Sequence, residues 1–161
     1  MALLGFAVDF QLHLETETVE HCYPSQPSCA QPTDSVRAVL RLMQESRTGV
    51  AMVCSEGKLL GVFTERDALR LLADGANLDM PVSEIMIRNP VTVRKSDTVA
   101  KAISLMSGGG FRRLPIVDDA GLLQGVLKVS GLLHYLVEHF PKIVYTLPPA
   151  PHYKSADREG A

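Results

Sequence analysis

Residues 61–67 read Gly-Val-Phe-Thr-Glu-Arg-Asp, and residues 125–131 read Gly-Val-Leu-Lys-Val-Ser-Gly. The two stretches open with the same Gly-Val pair, 64 positions apart (125 − 61). Each follows an apolar run and precedes leucines at helical spacing, which is the pattern of a strand that leads into a helix. They predict that one structural unit occurs twice in this chain.

The similarity between the two halves extends upstream of these stretches. Asn89-Pro90 repeats Gln26-Pro27 at an offset of 63 (89 − 26), whereas Val117 repeats Val53 at an offset of 64 (117 − 53). The second half therefore contains one extra residue. We expect it in the glycine-rich loop at residues 107–110.

Both halves predict the same order of elements, β-α-β-β-α. A short extended stretch after the proline is followed by an amphipathic helix, two apolar runs joined by a glycine turn, and a second helix. The first helices are predicted at residues 35–45 and 98–107. Their N-caps are predicted at Thr33 or Asp34 and at Ser96 or Asp97.

A unit of three strands and two helices is too small to enclose a core alone. We therefore predict an α+β fold in which two tandem β-α-β-β-α repeats pack sheet to sheet with pseudo-twofold symmetry. The predicted segments are an N-terminal extension (1–18), repeat 1 (19–73), a linker (74–81), repeat 2 (82–140) and a proline-rich C-terminal tail (141–161).

Composition narrows the class of protein. The 161 residues are 46% hydrophobic and 21% charged, which suits a globular chain with a buried core. A net charge of −2 gives no general attraction to nucleic acid or anionic lipid, so neither is an expected partner. The three cysteines are odd in number and irregularly spaced, which favours a cytoplasmic location over a secreted disulfide framework.

The sequence gives little support to catalysis or to a metal site. It contains no Gly-x-Ser-x-Gly elbow, no Walker loop and no His-Glu-x-x-His helix, so we expect no enzyme activity. A metal site could gather His21, Cys22 and Cys29. Their spacing differs from that of a zinc finger, so we expect no metal.

The motifs and their order resemble a tandem pair of cystathionine-β-synthase (CBS) domains, also called a Bateman module. The resemblance rests on residues 61–67 and on Arg113-Leu114-Pro115-Ile116-Val117-Asp118, and it extends from about residue 19 to about residue 140. It implies a regulatory module without catalytic activity that binds an adenosyl ligand between its repeats and signals to a partner protein. AMP, ADP or ATP is the expected ligand, with NAD or S-adenosylmethionine as further options. The resemblance also implies a homodimer, joined through the helices that start at Ser35 and Thr98.

The resemblance assigns the ribose and phosphate end of the ligand to Thr64 and Asp67, beside Val62. A carboxylate can accept both hydroxyls of a ribose diol, and free N–H groups at a helix start attract phosphate. The same Thr-x-x-Asp pattern also arises from a purely structural capping box, which stays open as an alternative. The opposing wall is expected from Met86, Asn89, Pro90, Val91, Arg112, Arg113 and Leu114.

The second copy of the motif has lost these groups. Lys128 stands in the place of Thr64, and Gly131 in the place of Asp67. We therefore expect one good adenosyl site per chain. Two other functions stay open: an interaction module that needs no ligand and, with less support, a metal- or redox-responsive protein.

Overall fold

The computed structural model describes residues 13–141, so most of the predicted extension and tail lies outside the described residues. The strands are β1 (Cys29–Ala30), β2 (Val50–Ser55), β3 (Lys58–Thr64), β4 (Ile87–Arg88), β5 (Arg113–Val117) and β6 (Leu123–Lys128). The helices are α1 (Val36–Glu45), α2 (Glu65–Ala73), α3 (Val99–Gly109) and α4 (Val129–His139), with 3-10 turns at Val19–His21 and Val82–Glu84. None of the helices in this part of the chain is long and apolar enough to cross a bilayer.

The two repeats exchange their outer strands. In the first sheet the order is β1-β2-β3-β4, with β1 parallel to β2 and the other pairs antiparallel. The outer strand β4 lies near the start of repeat 2 in sequence. In the second sheet β5 pairs with β6, and Ser25, near the start of repeat 1, pairs with Val126 of β6. Each sheet therefore pairs with a segment from the start of the other repeat.

Reciprocal hydrogen bonds confirm the pseudo-twofold relation between the repeats, because the N–H of Leu59 donates to the carbonyl of Gly121 and the N–H of Leu123 donates to the carbonyl of Gly57. Equivalent bonds within each repeat show that their local structures match. The N–H of Thr48 donates to the carbonyl of Met43, and 63 positions later the N–H of Phe111 donates to Met106. The predicted α+β fold of two packed β-α-β-β-α repeats is confirmed.

The position of the extra residue was predicted wrongly. The offset of 63 holds throughout β5, because Val117 pairs with Leu123 as Cys54 pairs with Leu59. The extra residue therefore lies in the hairpin turn after β5, not in the loop at residues 107–110. The match between Val53 and Val117 suggested the wrong place. Strand register depends on inter-strand pairing, which cannot be read from the sequence alone.

The helix N-caps also differ from the prediction. Ser35 caps α1 by accepting a hydrogen bond from the N–H of Ala38, and Thr98 caps α3 in the same way. Asp34 instead accepts a hydrogen bond from the N–H of Gln31 in the preceding turn. The short carboxylate closes this turn, and the helix begins with the next residue.

Three apolar clusters hold the fold together. One contains the buried face of α1 with β2 of the first repeat, and a second contains the buried face of α3. The third joins the sheets, because Val50, Met52 and Cys54 of β2 contact Val126 of β6. The first helix of each repeat thus buries its apolar side in its own core.

Candidate ligand-binding cleft

A cleft of about 680 Å³ opens where the two repeats meet. Its walls come from β2, β3 and the start of α2 on one side, and from β4, the residues after it and the end of α3 on the other. The lining residues are Gly49, Val50, Met52, Val62, Thr64, Glu65, Arg66, Asp67, Arg70, Ile87, Asn89, Pro90, Val91, Gly109, Gly110, Phe111, Arg112, Arg113 and Pro115.

Thr64 and Asp67 form a complete capping box at the edge of this cleft. Thr64 ends β3 with extended backbone angles and serves as the N-cap of α2. Its hydroxyl and its N–H both donate to Oδ2 of Asp67, at 2.6 and 3.0 Å, and the N–H of Asp67 donates back to the hydroxyl at 3.4 Å. Among the described residues these hydrogen bonds use Oδ2 and leave Oδ1 of Asp67 without a donor.

Four arginines line the cleft, and none forms an ion pair within residues 13–141. They are Arg66 and Arg70 from α2, and Arg112 and Arg113 from the second repeat. The Nε of Arg113 is buried and has no hydrogen-bond partner among the described residues. A buried donor without an acceptor is costly, so this guanidinium suits an anion that enters the cleft.

The cleft brings together eight of the ten residues that the sequence analysis selected. Met86 and Leu114 do not line it. Met86 is 7% exposed and packs in the first core against Gly61, where an added Cβ would lie 2.7 Å from its sulfur. Leu114 is 1% exposed because successive strand residues face opposite sides, so Arg113 and Pro115 take the cleft side.

Several lining residues were missed by the sequence analysis. Val50 and Met52 were assigned only to a strand, and the unbroken apolar run at residues 50–54 gives no alternation that would tell its two faces apart. Arg66 and Arg70 are one turn apart on α2, a spacing that places both on one side of the helix. Phe111 follows the glycine-rich end of α3, and no sequence signal assigns it to a cleft.

In the second copy of the motif, the backbone of Cys22 leaves no room for a side chain at Gly131. An added Cβ on Gly131 would lie 2.6 Å from the carbonyl oxygen of Cys22. Tyr23, the next residue, places its ring edge-on to His134 at 5.0 Å and donates a hydrogen bond to Glu138. The position that corresponds to Asp67 is therefore in contact with residues at the start of repeat 1.

The residues considered for a metal site do not come together. Cys22 is buried in the core of the second repeat, whereas Cys29 lies on β1 in the first sheet. Within residues 13–141 no cluster of three or more His, Cys, Asp or Glu side chains could hold a metal ion.

Comparison with known proteins identifies the family. The model of the CBS domain matches residues 19–74 and 82–138. The CBS domain-containing protein YhcV of Bacillus subtilis is 32% identical over 116 residues, covering 71% of this chain and 82% of that protein. The chain therefore belongs to the CBS domain family and carries two CBS domains in tandem.

The match spans less than two thirds of the length of some curated relatives. An uncharacterized protein of Methanopyrus kandleri is 34% identical over 112 residues, and the match spans 57% of its length. Among solved structures, a CBS domain protein from Pyrobaculum aerophilum complexed with AMP has a TM-score of 0.69 at 27% identity, covering 76% of this chain and 97% of that one. CBSX2 in complex with AMP has a TM-score of 0.68 at 27% identity, covering 75% and 96%. Proteins built as CBS pairs are in general regulatory rather than catalytic.

Proposed function

We propose that this chain is a regulatory module without catalytic activity that binds an adenosine nucleotide, of the AMP, ADP or ATP type, in the cleft between its CBS domains. The observation that carries the proposal is the combination, within residues 13–141, of an available carboxylate oxygen on Asp67 with four arginines that form no ion pair, all in one cleft. A ribose diol needs the first and a phosphate needs the second. The AMP complexes of two similar structures agree with this ligand class.

Each part of the nucleotide has a matching set of residues in the cleft. Oδ1 of Asp67 can accept hydrogen bonds from the ribose hydroxyls while Oδ2 keeps its capping role. The guanidinium groups of Arg112 and Arg113 offer paired donors to phosphate oxygens. The adenine ring would lie against the solvent-accessible apolar side chains of the cleft, such as Val62, Ile87 and Val91.

Binding would be transmitted to a partner protein by a shift of one CBS domain against the other. The cleft is lined from both repeats, so a ligand in it contacts both and favours one relative arrangement. We place this module in the cytoplasm, where the three free cysteines stay reduced and adenine nucleotides are available.

A melting experiment tests the proposal. A ligand at a hundredfold excess over its Kd stabilises the folded state by about 2.7 kcal/mol, so AMP should raise the melting temperature by several degrees. 2′-Deoxy-AMP should raise it less, because one ribose hydroxyl is missing. An unchanged transition with AMP, ADP, ATP, NAD and S-adenosylmethionine would instead favour an interaction module that needs no ligand, a function to which the exposed leucines of α2 and α4 would contribute.

A further inference from the structure

A second groove, of about 600 Å³, lies where the segment of residues 17–24 meets the end of α4. It shares no described lining residue with the cleft between the repeats. Its polar lining comes from Glu17, Glu20, His21 and Tyr23 on one side and from Tyr135 and His139 on the other. The groove is therefore a separate candidate site, formed by two carboxylates and four aromatic rings.

The described lining of this groove is negatively charged. Glu17 and Glu20 belong to it, whereas no lysine or arginine is among its described residues. The ring of His21 contacts both glutamates: Nδ1 lies 3.2 Å from Oε2 of Glu17, and Nε2 lies 4.0 Å from Oε1 of Glu20. A neutral imidazole donates from only one nitrogen, so His21 can serve at most one of the two carboxylates.

His139 adds a further hydrogen-bond acceptor to the lining. Its Nδ1 lies 3.0 Å from the carbonyl oxygen of Tyr135, and a carbonyl only accepts, so Nδ1 carries the proton. In the neutral ring Nε2 is then an acceptor. The rings of His139 and Tyr135 stack with their centroids 4.3 Å apart and their planes at 26°. The groove thus combines acceptor atoms with aromatic faces.

Two buried groups beside the groove respond to the same negative charge. Burial raises the pKa of Tyr135 to about 12 and that of Cys22 to about 11, and the charge of Glu17 adds to both effects. Tyr135 is 1% exposed and packs in the core of the second repeat, so this wall of the groove is held in place. A cation in the groove would meet a fixed and favourable field.

We propose that this groove binds a primary alkylammonium ion of the diamine class. An ammonium group has N–H donors for the carboxylates and for His139, and aromatic faces attract cations. A diamine carries two positive charges, which match the two glutamates. A metal ion fits less well, because within residues 13–141 no group of three or more His, Cys, Asp or Glu side chains could hold one.

Titration calorimetry with 1,4-diaminobutane tests this site. At about pH 8 an ordinary imidazole is neutral, whereas an alkylamine is still charged. The wild type should bind one diamine per chain. Tetramethylammonium and magnesium ions at the same ionic strength should bind at least about tenfold more weakly, because the first has no N–H donor and the second lacks a set of ligands.

Glutamine variants separate a built site from general attraction of cations. Glu20→Gln and Glu17→Gln keep the shape of the side chain, remove one charge each, and should weaken diamine binding about tenfold or more. Glu15→Gln is the matched control, since Glu15 is an exposed carboxylate of the same segment that does not line the groove. Its affinity should equal that of the wild type, with circular dichroism as the check on folding.

Three results would overturn the proposal. The first is a wild type that binds no diamine at millimolar concentration. The second is equal binding of the diamine and of tetramethylammonium or magnesium ions, which would show charge attraction alone. The third is equal affinity of folded Glu20→Gln and Glu15→Gln, which would place the diamine outside this groove.

Discussion

Gly131 shows how the absence of one side chain makes the two repeats differ. It stands where Asp67 stands in the first repeat, and the carbonyl of Cys22 approaches it so closely that an added Cβ would lie 2.6 Å away. The sequence predicted that a carboxylate is absent here. The sequence could not predict that the backbone of Cys22, more than a hundred residues upstream, occupies the space of a side chain at this position. That contact depends on how the repeats pack.

Substituting this glycine should therefore destabilise the protein. Gly131→Ala forces the Cys22 backbone or α4 to move, and overpacking of this kind costs about 1–3 kcal/mol in free energy of unfolding. Gly108→Ala is the matched control, since no atom lies within 4 Å of its added Cβ. Urea denaturation of both variants measures the difference. Equal stability of the two would show that the close approach is not real.

The capping-box alternative and the ligand-site prediction are compatible at Asp67. The structural reading is confirmed, because Thr64 and Asp67 cap α2 through Oδ2. The ligand role stays a prediction, and it now rests on Oδ1. The local sequence could indicate where the helix starts. It could not indicate that the neighbouring Arg66 and Arg70 line a cleft, because the cleft exists only when the opposing repeat packs against them.

The helices differ in what they leave exposed. The apolar faces of α1 and α3, which we expected at a dimer interface, are buried in the cores of their own repeats. Among the helices α1 to α4, the exposed large apolar side chains are on α2 and α4: Leu69 is 67% exposed, Leu72 56%, Leu133 55% and Val137 38%. Helical spacing identified apolar residues on all four helices, but it cannot tell which face meets the core and which meets a partner.

The predicted homodimer is thus more simply formed through α2 and α4. Leu69 and Leu133 are related by the repeat offset of 64 (133 − 69), so the second helix of each repeat exposes a leucine at the same position, and a self-complementary patch could use either one. Light scattering should give a mass near 35 kDa (2 × 17.5). Leu69→Glu should shift the mass towards 17.5 kDa.

Leu60→Glu is the control for this experiment, since Leu60 is 37% exposed but lies on β3 rather than on these helices. It should leave the mass unchanged. A wild-type mass near 17.5 kDa at micromolar concentration would contradict the dimer.

At the scale of the molecule, the internal repeat allowed the architecture to be predicted. Two matching sets of strands and helices, each too small to fold alone, required one another. The strand exchange was not predictable, because β4 and Ser25 pair with the sheet of the other repeat and such pairing leaves no local pattern. This exchange brings residues 87–91 against the Thr64 motif and so completes one wall of the cleft.

The unequal repeats lead to the central claim, which is one adenosyl site per chain that depends on Asp67. Titration calorimetry with AMP on the wild type and on Asp67→Ala measures it most directly, with Asp119→Ala as a control for the loss of an exposed carboxylate and circular dichroism as the check on folding. The wild type and the control should bind one AMP per chain. Asp67→Ala should bind about ten- to hundredfold more weakly, because it loses charge-assisted hydrogen bonds worth about 1.5–3 kcal/mol. Two equal sites per chain, or undiminished affinity in a folded Asp67→Ala, would contradict the account.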